Sequence, residues 1–185
     1  METLIVTGAA GSIGTRVCKT LAETEGIAAI LAIDTRPEMP NHRRVYHHQL
    51  DLQIDDLKPV FEGATSLIHL ATSFGPSSDG TDAGGAEIDA TRRVFEAASA
   101  VGIKRIVILS SAMVYGAWPN NEVPITEHTD INPNPDFSFA SVKTEIEGLA
   151  TEWKSKHPHS EVVVLRPTTA LAKGQISWVA RSLKA

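Results

Sequence analysis

The sequence contains few of the features that mark secreted or membrane proteins. It has one cysteine, Cys18, among 185 residues, so no disulfide can form within the chain. Cys18 lies in a stretch of helical pattern, where we expect a small buried apolar residue rather than a reactive thiol. The N-terminus leads directly into a predicted strand, without a basic leader, and no apolar run is long enough to span a bilayer. We therefore expect a soluble, cytoplasmic protein, and we predict no metal site.

Excess positive charge is also absent. The chain carries 17 Lys and Arg against 22 Asp and Glu, a formal net charge of -5. A basic surface for nucleic acid or an anionic membrane is therefore not expected, and a small molecule is the expected partner. A chain of this length buries one core well, whereas two domains would each have a thin core. We predict a single domain.

Short apolar runs alternate with longer segments of helical period, which is typical of βαβ units and a doubly wound parallel sheet of Rossmann type. The predicted strands are 4–6, 28–33, 45–48, 66–70, 105–109 and 161–165, and the predicted helices are 12–25, 54–61, 86–100 and 139–156. Two long polar segments, 73–85 and 116–136, follow strands. In this fold class such loops usually supply ligand contacts.

A glycine-rich turn joins the first strand to the first helix: Gly8-Ala9-Ala10-Gly11-Ser12-Ile13-Gly14. Gly8 and Gly11 permit a tight turn and close approach of phosphate, and Gly14 permits close packing of the helix on the sheet. The exposed N–H groups at the helix start would face the pyrophosphate of a dinucleotide such as NAD.

An acidic residue, Asp34, ends the second strand twenty residues after Gly14. A carboxylate there accepts hydrogen bonds from ribose hydroxyls and repels a 2′-phosphate, which favours NAD over NADP. Arg36 leaves an alternative, because a guanidinium near the ribose can accommodate a phosphate. We favour a solvated surface role for Arg36.

Several further segments accompany the glycine turn, and together with it the chain resembles the extended short-chain dehydrogenase/reductases of the NAD-dependent epimerase/dehydratase type. The resemblance runs from Thr3 to about Gly174. Its motifs are Thr7-Gly8-Ala9-Ala10-Gly11-Ser12-Ile13-Gly14, Asp51-Leu52, His69-Leu70-Ala71, Ser110-Ser111-Ala112-Met113-Val114-Tyr115-Gly116 and Leu165-Arg166-Pro167.

The resemblance implies a position for each motif. Asp51 and Leu52 would lie at the adenine, Leu70 and Ala71 along the ribose and pyrophosphate, and Ser111 beside the nicotinamide and the substrate oxygen. Lys143 would contact the nicotinamide ribose. Taken alone, each motif is a weak signal: a helix N-cap is an alternative for Asp51, and a histidine at a strand end, such as His69, is more often structural than a ligand.

The chain departs from the family at the position four residues before Lys143, where an active tyrosine acts as acid or base. Phe139 stands there, and a ring without a hydroxyl has no proton to exchange. The two tyrosines, Tyr46 and Tyr115, lie in other segments. Asp89 also stands where many members have asparagine, which implies an altered bracing of the site.

Family members also continue into a C-terminal lobe that shapes the substrate pocket, whereas this sequence stops soon after Gly174. We interpret it as a truncated member, with a NAD-binding domain over 1–174 and a tail over 175–185. Ile176, Val179 and Leu183 recur at helical spacing beside Trp178. This stripe packs either on the chain's own sheet or on a second copy, so a homodimer is a hypothesis.

Three functions fit these features. The first is an enzyme of altered or non-redox chemistry, such as isomerisation, dehydration or cyclisation of a small molecule, with Ser111 and Lys143 in its site. The second is a conventional NAD-dependent oxidoreductase or sugar epimerase. The third is a non-catalytic module that senses a dinucleotide or binds a partner. His128, Asp130 and Asp136 are candidate proton-transfer groups, with solvated loop positions as the alternative.

Overall fold

The computed structural model describes residues 1–72 and 83–168. Within them, six parallel strands form one sheet: β1 (Glu2–Thr7), β2 (Ile27–Asp34), β3 (Val45–Gln49), β4 (Ser66–His69), β5 (Arg105–Leu109) and β6 (Glu161–Leu165). Their order is β3-β2-β1-β4-β5-β6, the doubly wound order of Rossmann folds. The predicted fold class is confirmed.

Four helices flank this sheet in the described part of the chain: α1 (Ser12–Glu23), α2 (Lys58–Phe61), α3 (Ala83–Val101) and α4 (Ser138–Lys156). The prediction of a helix over 54–61 is wrong in length, because Pro59 is accepted only in the first helical turn. α3 begins three residues before its predicted start, so the polar segment predicted over 73–85 ends in helix. Residues 73–82 and the predicted tail lie outside the described residues.

Both faces of the central strand β1 are covered, and its successive residues point to opposite sides of the sheet. Leu4 and Val6 pack in a cluster with residues of α1, including Cys18. Ile5, between them, packs in a second cluster with residues of α3 and α4, including Val94 and Ile146. Cys18 is fully buried, and burial raises the pKa of its thiol to about 11. The expectation of a buried cysteine is confirmed.

The order in which strands are added to the sheet reverses between β1 and β4, which are hydrogen-bonded neighbours: β2 and β3 lie on one side of them, and β5 and β6 on the other. Thr7 at the end of β1 lies between Ile33 of β2 and His69 of β4. Ligands of doubly wound proteins bind outside the carboxyl ends of the strands at such a point. Among the described residues, no helix combines the length and apolarity needed to cross a membrane.

Candidate active site

The glycine turn lies at this switch point, and its conformation requires glycine at two positions. Gly8 has φ +67°, and a Cβ there would lie 2.6 Å from the backbone nitrogen of Ala71. A Cβ at Gly14 would lie 2.2 Å from the carbonyl oxygen of Gly8. Gly11 is the N-cap of α1, so Ser12 and Ile13 form its first turn, where backbone N–H groups have no acceptor within the helix. The turn is thus a narrow backbone cradle that fits a phosphate group.

The second half of the predicted phosphate site comes from β4. Leu70 donates its backbone N–H to the Thr7 carbonyl at 3.1 Å, and the Ala71 N–H lies 3.4 Å from Thr7 Oγ1. These bonds hold Leu70 and Ala71 against Gly8. The predicted ribose and pyrophosphate residues are therefore brought to the glycine turn by strand pairing.

Asp34 is buried at the end of β2 and faces the glycine turn. Its Oδ2 accepts the Ala10 backbone N–H at 3.0 Å, and its Oδ1 accepts the Arg36 Nε–H at 3.0 Å. The Arg36 side chain is 57% exposed, but it is not simply solvated as we favoured, because it forms this ion pair. The pair places a carboxylate and a guanidinium together beside the expected ribose position.

Asp51 and Leu52 follow β3, the neighbour of β2. Asp51 Oδ1 accepts the Gln53 backbone N–H at 2.9 Å, so it caps a turn, although no α-helix begins there. Leu52 packs in the apolar core with 8% exposure. A hydrogen bond of 3.1 Å from the Leu50 N–H to the Asp34 carbonyl places these residues at the same edge as Asp34.

Ser111 follows β5 and begins a 3-10 turn over Ala112–Tyr115. Its Oγ accepts the Met113 backbone N–H at 3.2 Å. This bond uses an acceptor lone pair, so the hydroxyl proton can still be donated to a substrate oxygen. Ser111 thus lies at the carboxyl end of the strand beside β4, as the sequence predicts.

Lys143 is buried on α4 and has two side-chain partners that the sequence does not predict. Its Nζ lies 2.6 Å from Glu87 Oε1 on α3 and donates to Thr72 Oγ1, just after β4. The Phe139 ring centroid lies 5.5 Å from the same nitrogen. Burial lowers the pKa of Lys143, and Glu87 opposes this effect. The position expected to hold a phenol is therefore occupied by a plain ring beside a paired ammonium.

Glu87 is not among the site residues predicted from the sequence, where the altered bracing of the site is instead assigned to Asp89. Asp89 is exposed, whereas Glu87 is 8% exposed and holds Lys143. The bracing role implied for Asp89 thus belongs to Glu87. Glu87 lies four residues before buried Thr91 and seven before buried Val94. A carboxylate on the apolar face of a helix needs a partner, and this signal was available in the sequence.

A second buried polar cluster lies beside Ser111. Glu147 Oε2 accepts from Arg166 Nη2 at 2.7 Å and Glu147 Oε1 accepts from Ser110, while Arg166 Nη1 donates to Tyr115 Oη at 2.7 Å. The Tyr115 hydroxyl is thereby engaged by Arg166. Tyr46 is 57% exposed on β3, so neither tyrosine replaces the missing phenol.

The proposed loop acids and bases are all exposed: His128, Asp130 and Asp136. Most hydrogen bonds of their loop join residues within the loop, as in the 2.7 Å bond from Trp118 Nε1 to the Asn132 carbonyl. In the described residues, no group of His, Cys, Asp and Glu is arranged to hold a metal ion.

His69 is a buried link between β1, β4 and α3. Thr91 donates its hydroxyl to the Glu87 carbonyl at 2.8 Å, so at 3.1 Å it accepts from His69 Nε2. His69 Nδ1 then accepts from Thr7 Oγ1 at 2.6 Å. These bonds fix one neutral tautomer. Burial, assisted by Lys143, lowers the pKa of His69 to about 4.

We expect this histidine to make the free energy of unfolding fall by about 2 kcal/mol between pH 6.5 and pH 5. The unfolded chain takes up a proton on His69 near pH 6.5, whereas the folded protein does so only near its folded pKa of about 4. Stability is therefore full above pH 6.5 and decreases as pH falls. Chemical denaturation at each pH measures it.

A His69→Gln variant should lose this pH dependence. The exposed His159→Gln variant is the matched control and should keep the wild-type slope. An unchanged slope in His69→Gln would show that His69 is not the group responsible.

These observations define a Rossmann-type α/β protein with its cleft at the β1/β4 switch point. The chain belongs to the NAD dependent epimerase/dehydratase family, whose model matches residues 4–183. The resemblance seen in the sequence is thus confirmed. Family members and structural neighbours are enzymes, among them epimerases and dehydrogenases.

Two relatives cover most of this chain. L-arabinose 1-dehydrogenase (NAD(P)(+)) from Haloferax volcanii is 28% identical over 167 residues, which span 85% of this chain and 63% of that protein. MoeE5, solved with UDP-glucuronic acid and NAD, is 29% identical with a TM-score of 0.81, over 94% of this chain and 57% of that one. The chain thus spans less than two thirds of the length of either relative.

A third similarity concerns the fold alone. UDP-glucuronic acid 4-epimerase from Bacillus cereus, solved with NAD, has a TM-score of 0.75 at 24% identity, over 90% of this chain and 56% of that one.

Proposed function

We propose that this chain binds NAD along the edge formed by β3, β2, β1 and β4, and acts on a small, sugar-like molecule without the tyrosine-dependent proton transfer of its family. The observation that carries this proposal is the pairing of an intact glycine cradle with Phe139 beside Lys143. A cofactor-binding turn without the family's acid/base tyrosine favours isomerisation, dehydration or cyclisation over ordinary carbonyl reduction.

The residues around the glycine turn fit the cofactor. Gly8, Gly11, Ser12, Ile13 and Gly14 would hold the pyrophosphate through backbone N–H groups and the helix dipole. Asp34 would accept from the adenosine ribose, with Asp51 and Leu52 toward the adenine and Leu70 and Ala71 along the chain of phosphates. When bound, NAD would supply a hydride acceptor at its nicotinamide.

The substrate side would be handled by Ser111 and Lys143. The Ser111 hydroxyl would donate to a substrate oxygen, and Lys143 would bind the nicotinamide ribose from the buried side of the cleft. UDP-sugars bound to MoeE5 and the sugar named for the Haloferax relative support a polyhydroxylated substrate. Assembly as a homodimer is part of the same proposal.

A conventional NAD-dependent dehydrogenase is the second candidate. The similarity to L-arabinose 1-dehydrogenase over 85% of this chain favours it. Its proton would have to pass through Ser111 or water, because Phe139 supplies none.

Calorimetric titration with NAD and with NADP tests the cofactor proposal. We expect NAD to bind with a dissociation constant below 1 mM, about 4 kcal/mol or more of binding free energy. We expect NADP to bind at least tenfold more weakly, because the Asp34 carboxylate would accept from the ribose 2′-hydroxyl and stand where the 2′-phosphate of NADP would lie. Asp34→Asn should narrow this difference. Failure of both dinucleotides to bind at millimolar concentration would refute the proposal, and equal affinities would refute the role of Asp34.

A further inference from the structure

Lys143 belongs to a buried charge cluster beside the expected nicotinamide position, and its partner Glu87 has no role in the function proposed so far. Lys143 Nζ and Glu87 Oε1 are 2.6 Å apart, with side-chain exposures of 2% and 6%. Thr72 Oγ1 donates to the same carboxylate oxygen at 2.9 Å and accepts from Lys143. The Glu87 carboxylate therefore compensates the positive charge of Lys143 inside the site.

This pairing matters because the two oxidation states of NAD differ in charge at the nicotinamide ring. The oxidised ring carries a positive charge and the reduced ring is neutral. An unpaired lysine next to the ring repels the oxidised form, whereas a lysine paired with a carboxylate presents almost no net charge.

Among the residues that the structure describes, the other charged groups of the site are neutral or paired. His69 is neutral over the physiological range, because burial lowers its pKa to about 4. Arg166 is paired with Glu147, and Arg36 with Asp34. Glu87 is thus the carboxylate that the described structure places against Lys143.

We propose that Glu87 determines which oxidation state of the cofactor the protein prefers: by neutralising Lys143, it lets the cleft hold NAD⁺ more tightly relative to NADH than a lysine alone would. The proposal rests on the proposed function, since it requires NAD to bind with its nicotinamide toward Lys143. It makes Glu87 a specificity-determining residue for the oxidised form of the cofactor.

The test is the ratio of the dissociation constants of NAD⁺ and NADH, measured by calorimetry on the wild type and on Glu87→Gln. The amide keeps the shape but removes the charge. We expect the ratio of the NAD⁺ constant to the NADH constant to rise roughly three- to tenfold, the effect of one unit charge near the ring in a partly hydrated cleft. Asp89→Asn is the matched control, since it removes the same charge from an exposed position on α3, and it should leave the ratio unchanged.

A double variant, Glu87→Gln with Lys143→Met, removes both charges and should restore the wild-type ratio even though both affinities fall. If Glu87→Gln alone does not fold, Lys143→Met takes its place: it leaves the Glu87 carboxylate without its ammonium and should lower the ratio, and an unchanged ratio would overturn the proposal. A ratio unchanged in Glu87→Gln, or still raised in the double variant, would overturn the role of Glu87. Failure of the wild type to bind either dinucleotide would instead overturn the proposed function.

Discussion

Gly14→Ala is expected to lower the free energy of unfolding by about 3 kcal/mol and to abolish NAD binding. The added Cβ would lie 2.2 Å from the Gly8 carbonyl oxygen and 2.7 Å from Ala9 Cα. Both neighbours are backbone atoms of the turn, so the clash cannot be relieved by rotating a side chain. Either α1 moves away from the sheet or the turn opens, and both changes remove the phosphate cradle.

Gly148→Ala provides the matched control. It makes the same substitution within a helix, α4, where the added Cβ has no atom of the described residues within 4 Å apart from its chain neighbours and the helix's own backbone. Alanine has the higher helix propensity, so this variant should gain about 0.5–1 kcal/mol. Chemical denaturation midpoints of the two variants give the comparison. If Gly14→Ala were as stable as Gly148→Ala and still bound NAD, the close packing of α1 on the turn would not be required.

The fold was largely predictable because its strands are short apolar runs separated by helical segments. β5 and β6 occupy the predicted residues, 105–109 and 161–165. The central strands of a parallel sheet, which are buried on both faces, need such apolar runs, so composition signals them. The helix predicted over 54–61 failed for a local reason, since its periodicity gave no weight to Pro59.

The site divides in the same way. The glycine turn and Asp34 are local patterns, and their contacts follow from a strand, a turn and a helix that are adjacent in sequence. The pair of Glu87 and Lys143 joins residues 56 positions apart, and the pair of Arg166 and Glu147 joins α4 to the end of β6. Such pairs depend on how helices pack over the sheet, which no local pattern encodes.

Phe139→Tyr is expected to have the largest effect on chemistry. A phenol at this position would stand beside the buried ammonium of Lys143, whose nitrogen lies 5.5 Å from the Phe139 ring centroid. The phenol hydroxyl supplies the exchangeable proton that the Phe139 ring lacks. A positioned general acid or base contributes about 10² to 10⁴ in rate, and we expect hydride transfer to rise by a factor in this range.

Phe137→Tyr is the control for this variant. Its ring centroid lies 5.9 Å from that of Phe139, at the N-cap of α4, so it adds the same hydroxyl near the site without restoring the spacing of four residues to Lys143. It should leave the rate of hydride transfer at the wild-type value.

The deciding measurement is the rate of NADH formation from NAD with L-arabinose or UDP-glucuronic acid, compared between the wild type, Phe139→Tyr and Phe137→Tyr. If the cofactor site lacks only its general acid/base residue, we expect turnover in Phe139→Tyr and little or none in the wild type and in Phe137→Tyr. Wild-type turnover as fast as that of Phe139→Tyr would contradict it, and would identify the chain as a conventional dehydrogenase that moves its proton by another route.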